Sequence, residues 1–243
     1  MIGKLLFKIR FHLYFFPKLN QNISKDIFFH PTHIKFKQKF SEIYLEQNIL
    51  IKMIKVQKYA DYIRRYFNSQ ARREYMGVVK LQNIGINIPN IYGYGFNVNP
   101  FQKADSILLM EYIAGESLLI FFQTSTDTIY RKEILKSAAE DLVKMHLNGL
   151  HHKDTNLGNI ILFKEKLYWI DNDVMELSFS IDDRKYIFNA LKRIVGKREY
   201  LSNEEIRYFI DSYIVDIKIY TQNNSDDTLL QCIKSLNFNE LLK

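Results

Sequence analysis

The chain has 243 residues, enough for one large domain or two small lobes around a cleft. Its 47% hydrophobic and 25% charged residues exclude a wholly disordered chain, and its single cysteine, Cys232, excludes an internal disulfide framework and argues against a cysteine-built zinc site. The formal net charge of +7 attracts anions, but the Lys/Arg runs are as short as Arg72-Arg73 and no nucleic-acid motif accompanies them, so nucleic acid is not an expected partner.

The first segment, Met1 to Gln21, places Lys4, Lys8, Arg10 and Lys18 among Leu5, Leu6, Phe7, Ile9, Leu13, Phe15 and Phe16. It lacks the clean apolar core and small-residue cleavage site of a signal peptide. Two readings stay open: a basic element lying on an anionic membrane, or an extra element packed on the domain. Nowhere does the chain offer about eighteen uninterrupted apolar residues, so no membrane-spanning helix is expected.

Asn48 to Ile54 alternates as a buried strand, with Ile49, Ile51 and Met53 on one face and Leu50, Lys52 and Ile54 on the other. A lysine in such a strand is costly without a partner. Asn68 and Ser69 can cap a helix carrying Ala71, Tyr75 and Val78, and Gly85 can close it. A strand and turn follow Pro89. Ser106 to Tyr112 predicts a second buried strand, with a hinge or turn at Ala114-Gly115. Asp127 can cap a long helix to about Leu147, with Ile134, Leu135, Ala138, Leu142 and Met145 as its apolar stripe, and Asn148-Gly149 stops it.

Next comes a polar loop, His151 to Asn159, then Ile160 to Phe163, a turn at Lys164-Glu165-Lys166, and a strand from Leu167 to Ile170. From Asp182 the pattern is mostly helical. Strands and one helix first, then a helical half, predict an α+β chain of two lobes: an N-terminal lobe over 1–113 and a C-terminal lobe over 114–243.

The chemistry concentrates in the loop and hairpin. Phosphoryl transfer needs a carboxylate to orient the acceptor hydroxyl, oxygen ligands for Mg²⁺ and a cation on the ATP phosphates. His152-Lys153-Asp154-Thr155-Asn156-Leu157-Gly158-Asn159 matches the catalytic-loop spacing H-x-D-x-x-x-x-N. Asp154 would orient the acceptor proton and Asn159 would bind a metal ion. Asp171, twelve residues on and at the end of a strand, would be the principal Mg²⁺ ligand. His152 fills the motif position that braces the loop. His151 is a candidate lining residue, while His146 and Trp169 read as packing.

The stretch from Leu147 to Leu177, with Ile170-Asp171-Asn172-Asp173 and the Asn189 to Arg193 helix, resembles the kinases of the lipopolysaccharide core that act on Kdo or heptose. Upstream, Ser69 to Glu74, Leu81, Gly85-Ile86 and Ile88-Pro89 resemble their helix C and the turn after it. The resemblance covers residues 48 to 195 and implies a protein-kinase-like fold using ATP and Mg²⁺. It makes Glu74 the helix C glutamate, paired with Lys52 (Lys55 is the rival), and puts Glu111 and Tyr112 at the hinge, where backbone groups would meet adenine. It also implies a sugar or glycolipid acceptor and action at the cytoplasmic face of the membrane.

The departures are equally specific. No glycine occurs between Lys4 and Met76, so a Gly-rich phosphate loop is missing; Asn156 replaces the lysine of protein kinases two residues after the catalytic aspartate; and no A-P-E follows. These departures argue against an ordinary Ser/Thr protein kinase. Gly158 before Asn159 is also similar to aminoglycoside and choline phosphotransferases, which keeps a soluble small-molecule kinase as an alternative, and the missing glycine loop keeps a non-catalytic pseudokinase as another.

Overall fold

A computed structural model describes residues 11–15, 34–37, 39–46, 48–178, 180, 183–224 and 236. The chain divides into two units, one made of Met1–Val79 and Pro89–Ile113, the other of Lys80–Ile88 and Ala114–Lys243.

In the first unit β1 (Phe11–Phe15), β2 (Ile34–Lys37), β3 (Ser41–Glu46), β4 (Ile49–Lys55), β5 (Ile91–Asn97) and β6 (Ala104–Glu111) form a sheet ordered β1-β5-β6-β4-β3-β2, every neighbouring pair antiparallel. The period-two pattern of β4 sends Ile49, Ile51 and Met53 to one face, where they join Tyr44, Ala104, Ile107 and Leu109 in a core cluster. Burying each of the large aliphatic side chains stabilises this unit by about 1.5–3 kcal/mol. Lys52 falls in the opposite set. It lies midway along a central strand, level with Ile43 of β3 and Leu108 of β6.

Two helices follow β4: α1 (Asp61–Asn68) and α2 (Gln70–Asn83). The helix expected after Ser69 is α2. Its first backbone donors are taken up by Asp105 Oδ2 (from Gln70 N), Ser106 Oγ (from Ala71 N) and Ser69 Oγ (from Arg72 N). The sequence pattern gave no warning of α1, and the reason is physical: Ile63 and Phe67 face outward while Arg65 is 1% exposed. Arg65 replaces an apolar anchor by donating to the carbonyls of Asn99, Ala104 and Gln102.

In the second unit β7 (Glu116–Ser117), β9 (Ile160–Phe163) and β10 (Lys166–Trp169) pair in the order β10-β9-β7, and β8 (Leu150–His152) pairs with β11 (Val174–Glu176). The β9–β10 connection has Lys164 and Glu165 at φ of 48° and 61°, the left-handed pair of a tight hairpin turn. Gly115 is forced by close approach: a Cβ there would stand 2.3 Å from the Leu162 carbonyl oxygen.

The helices are α3 (Leu118–Thr124), α4 (Thr128–Leu147), α5 (Arg184–Val195) and α6 (Asn203–Asn224). Asp127 caps α4 by accepting from the N–H groups of Ile129 and Tyr130. The helix ends before Gly149, whose φ is +65°. All five residues of its expected apolar stripe are buried, and so are Arg131, Asp141 and His146, because α4 is enclosed on more than one side. Arg131 is held by Glu205 of α6 at 2.6 Å and by the carbonyls of Phe122, Ser125 and Tyr200.

Of the N-terminal segment, Phe11–Phe15 is the strand β1, paired with β5. Met1 to Arg10, Phe16 to Lys18, Ser225 to Asp227 and Cys232 lie outside the described residues. No described helix is long and apolar enough to cross a membrane.

Candidate active site

Among the described residues, the first unit supplies a buried ion pair. Lys52 Nζ donates to both carboxylate oxygens of Glu74, each at 3.0 Å, and the two residues are 8% and 2% exposed. Gln70, one turn earlier on α2, donates to Glu74 Oε1 at 3.3 Å. The rival Lys55 instead meets Glu42 at 2.7 Å. Glu42 also accepts from the Tyr44 hydroxyl at 3.0 Å; burial first, and this hydrogen bond second, push that phenol up to about 12. Strand parity explains the choice between the lysines: Lys55 is three residues on and beyond a register shift at the strand end.

At the end of β6 the Glu111 N–H donates to the Asn90 carbonyl at 2.8 Å and the Tyr112 N–H to the Asn48 carbonyl at 3.0 Å. Both donors are spent on the protein, so neither is available to an adenine in this arrangement. The Glu111 carboxylate accepts from the Asn90 backbone and side chain.

The second unit supplies the loop. His151 and His152 belong to β8, paired with Met175 and Val174, so the loop begins with a short strand that the sequence pattern did not reveal. The His152 ring is 1% exposed, lies 5.5 Å from the Trp169 ring, and donates from Nε2 to the Ile170 carbonyl at 3.1 Å. Burial lowers its pKa, opposed by that carbonyl; it is a neutral brace tying the loop to the strand before Asp171. Thr155 hydroxyl closes the turn on the His152 carbonyl at 2.8 Å. Asn156 caps the turn over Leu157–Asn159 by accepting from Gly158 N. A Cβ on Gly158 would stand 3.0 Å from that same Asn156 oxygen.

Asp154 stands exposed at the loop's tip. Asn159 Nδ2 donates to the Asp154 backbone oxygen at 2.8 Å and to Asp154 Oδ2 at 2.9 Å. With both hydrogens directed there, the amide oxygen of Asn159 is left as its acceptor. The Ile170 N–H donates to the Asn159 carbonyl at 3.0 Å, which fixes Asp171 next in the chain. Asp171 has a φ of +57°, a left-handed conformation that Asp and Asn tolerate better than bulkier residues. One amide oxygen and one carboxylate suit a hard cation such as Mg²⁺, which keeps water and phosphate oxygens for its other positions. Among the described residues no group of three or more His, Cys, Asp or Glu could hold a metal by itself. The donor set therefore fits Mg²⁺ brought with a nucleotide better than a closed structural site.

Two contacts here carry no motif. Arg193 of α5 donates to the Lys153 carbonyl at 2.7 Å and to Asp154 Oδ1 at 3.3 Å. Lys153 pairs with Asp173 at 2.7 Å, and the Lys153 N–H donates to the Asp173 carbonyl at 3.1 Å. Both tie the loop to distant sequence, and the only sequence signal was that Arg193 and Asp173 sit in stretches of family-like pattern.

Behind the loop, His146 is fully buried and hydrogen bonds Tyr213 at 2.7 Å. Burial, then the neighbouring His151, pushes its pKa down to about 3. His151 is pushed down to about 4 by burial, then by His152, Arg193 and Lys153. Trp169 is core and donates to Asp141 at 2.9 Å.

A family model described as "Lipopolysaccharide kinase (Kdo/WaaP) family" matches residues 32–213. The chain is 25% identical over 166 residues to the KEOPS complex subunit Bud32 of Pyrococcus abyssi, covering 67% of this chain and 72% of that one. It is 28% identical over 115 residues to a 3-deoxy-D-manno-octulosonic acid kinase of Vibrio vulnificus, spanning 45% of each. A solved structure of WaaP in complex with acyl carrier protein superposes with a TM-score of 0.57 at 14% identity, covering 86% of this chain and 88% of that one. That likeness gives the fold, which is protein-kinase-like.

Proposed function

We propose, from the premise that this chain belongs to the lipopolysaccharide kinase (Kdo/WaaP) family, that the hydroxyl it phosphorylates is a Kdo or heptose hydroxyl of the lipopolysaccharide core. Membership makes the chain a kinase, a phosphotransferase with a hydroxyl acceptor. The observation that carries the reading furthest is the Asp154–Asn159–Asp171 arrangement, in which Asn159 is bonded to Asp154 through Nδ2 and to the strand before Asp171 through its carbonyl.

In this reading Asp154 accepts a hydrogen bond from the acceptor hydroxyl and aims its oxygen for attack. Arg193 and Asn159 hold that carboxylate in place. Asn159 and Asp171 would hold Mg²⁺, which would supply charge neutralisation on the transferring phosphate. Lys52, fixed by Glu74, is the cation for the ATP phosphates. His152 keeps the loop in register with Ile170. The amides of Glu111 and Tyr112 are spent on Asn90 and Asn48, so adenine would meet the remaining backbone groups of this hinge. The net charge of +7 suits an anionic sugar and an anionic membrane surface.

A panel of purified acceptors, incubated with labelled ATP and Mg²⁺, tests this. It should contain Kdo, heptose, core oligosaccharide, aminoglycosides and choline. Label in a core sugar is expected. Label in an aminoglycoside or choline would move the chain to a soluble small-molecule kinase, and nucleotide binding without transfer to any acceptor would make it a binding module.

A further inference from the structure

One end of the first unit carries an exposed apolar face. Among the described residues thirteen large apolar side chains are exposed, and six of them fall in two short stretches: Tyr59, Ile63, Tyr66 and Phe67 in and just before α1, and Val98 and Phe101 in the turn between β5 and β6. The stretches touch. Arg65 donates to the carbonyls of Asn99, Ala104 and Gln102, and the Tyr66 hydroxyl donates to the Val98 carbonyl at 3.4 Å. A spacing of four puts Ile63 and Phe67 on one side of α1, opposite Arg65, and they are 64% and 71% exposed. The helix is thus turned inside out: it buries its cation and presents aliphatic and aromatic side chains outward. Arg65 and its three carbonyls hold the helix down, so folding does not require the outer side chains to be apolar. A cluster of this kind marks an interaction surface.

The rim identifies what covers it. Lys58, Arg64, Arg72 and Lys103 are exposed around the face. The Val56 N–H donates to the Lys103 carbonyl at 2.8 Å, which brings the Lys58 stretch to the Lys103 turn. Residues 57–73 and 98–103 contain a single acid, Asp61. Its carboxylate is taken by the N–H groups of Gln57 and Lys58 and by Arg64 at 3.4 Å. Beside Phe67, Tyr66, Arg72, Tyr94 and Phe96 line a recess of about 290 Å³. Rings among lysines and arginines, with no uncommitted carboxylate, suit the boundary of an anionic bilayer, where aromatic side chains sit at headgroup level and cations meet phosphates. β1 starts at Phe11, opposite Asn97, so the basic, apolar sequence from Lys4 to Arg10 leads into the sheet at this same end.

We propose that this end of the first unit docks on an anionic lipid bilayer, with Tyr59, Ile63 and Phe67 entering the interface and Lys58, Arg64, Arg72 and Lys103 meeting the headgroup phosphates. That docking serves catalysis rests on the reading of a glycolipid acceptor; the docking itself does not, because none of these residues belongs to the catalytic loop or to the Lys52–Glu74 pair.

The full chain, without nucleotide or acceptor, is floated with vesicles of phosphatidylcholine alone or mixed with phosphatidylglycerol. Binding to the mixed vesicles only, weakening as salt rises, is expected. Lys58→Gln with Arg64→Gln should weaken it by about tenfold or more, and Ile63→Ser with Phe67→Ser by about 30-fold. The serine positions are exposed, so Tm should stay at the parent value. Phe67→Trp should add emission that shifts to the blue on mixed vesicles and is quenched by brominated phosphatidylcholine. Ile129→Trp, at a position 73% exposed on α4 of the second unit, should add emission that does neither.

Capture of the double serine variant at parent strength overturns the proposal, as does Phe67→Trp emission that ignores vesicles holding the chain. A lower Tm in the double serine variant would show that the chain itself covers the face. A concentration-dependent dimer that this variant abolishes, seen by light scattering in a chain that ignores vesicles, would assign the face to a second copy. Either result overturns the lipid assignment. No readout involves transfer, so a failure of the acceptor panel and a failure of docking are told apart.

Discussion

Replacing Glu74 with Gln isolates the buried pair. Lys52 is 8% exposed and donates, at 3.0 Å, to both oxygens of the carboxylate that this change neutralises. Removing one partner of a buried ion pair costs about 3–5 kcal/mol, because the other charge is left in a low-dielectric site. The amide still accepts a hydrogen bond, which puts the loss near about 3 kcal/mol. For a chain of this size that is a fall in Tm of roughly 6–12 °C. The double change Lys52→Met with Glu74→Leu removes both charges and keeps the volume, so it should melt at or above the parent, gaining up to about 4 kcal/mol. Function should follow the opposite order. Glu74→Gln should retain some transfer with a raised KM for ATP, and the stable double variant should have none. Thermal and urea unfolding, run beside a transfer assay, separate the two. If Glu74→Gln melts with the parent, or the double variant transfers phosphate normally, the pair is neither buried-costly nor nucleotide-facing and the reasoning fails.

Asp171→Asn should lose transfer by about 100-fold or more over a full Mg²⁺ titration yet unfold like the parent, since Asn tolerates the +57° φ of that position; normal turnover would remove Asp171 from the metal site. Arg193→Met should lower kcat by roughly 10-fold or more through misplacement of Asp154 with KM for ATP unchanged, while stability shifts by no more than about 1 kcal/mol because both side chains of that pair are more than half exposed. His146 and His151 are held neutral in the folded chain, with pKa values depressed to about 3 and about 4. The unfolded chain binds protons below about pH 6.5, so stability should fall as pH drops from about 6.5 towards 4, by about 1.4 kcal/mol per unit for each ring. Urea unfolding across that range checks it, and His146→Gln should flatten the slope.

Local sequence determined a good deal of this protein. The period-two run at Ile49 to Ile54 made a strand with one lysine on the wrong face, and a buried ammonium must find an acid. The cap Asp127, the stop at Gly149 and the stripe between them bounded a helix, because caps and left-handed glycines act within a few residues. The spacing from His152 through Asn159 to Asp171 marked a loop, a hairpin and a carboxylate, since those contacts are near in sequence. Tertiary structure decided the rest. Which lysine meets Glu74 depended on strand register across β3, β4 and β6, and the rival Lys55 went to Glu42. The first helix was hidden because it buries an arginine, whose partners are carbonyls about 34 to 39 residues away. The hinge amides proved spent only once Asn48 and Asn90 were seen beside them. Arg193 reached Asp154 across 39 residues. Each of these is a long-range pairing of polar groups, and polar pairing, unlike hydrophobic periodicity, leaves no repeat in the sequence to read.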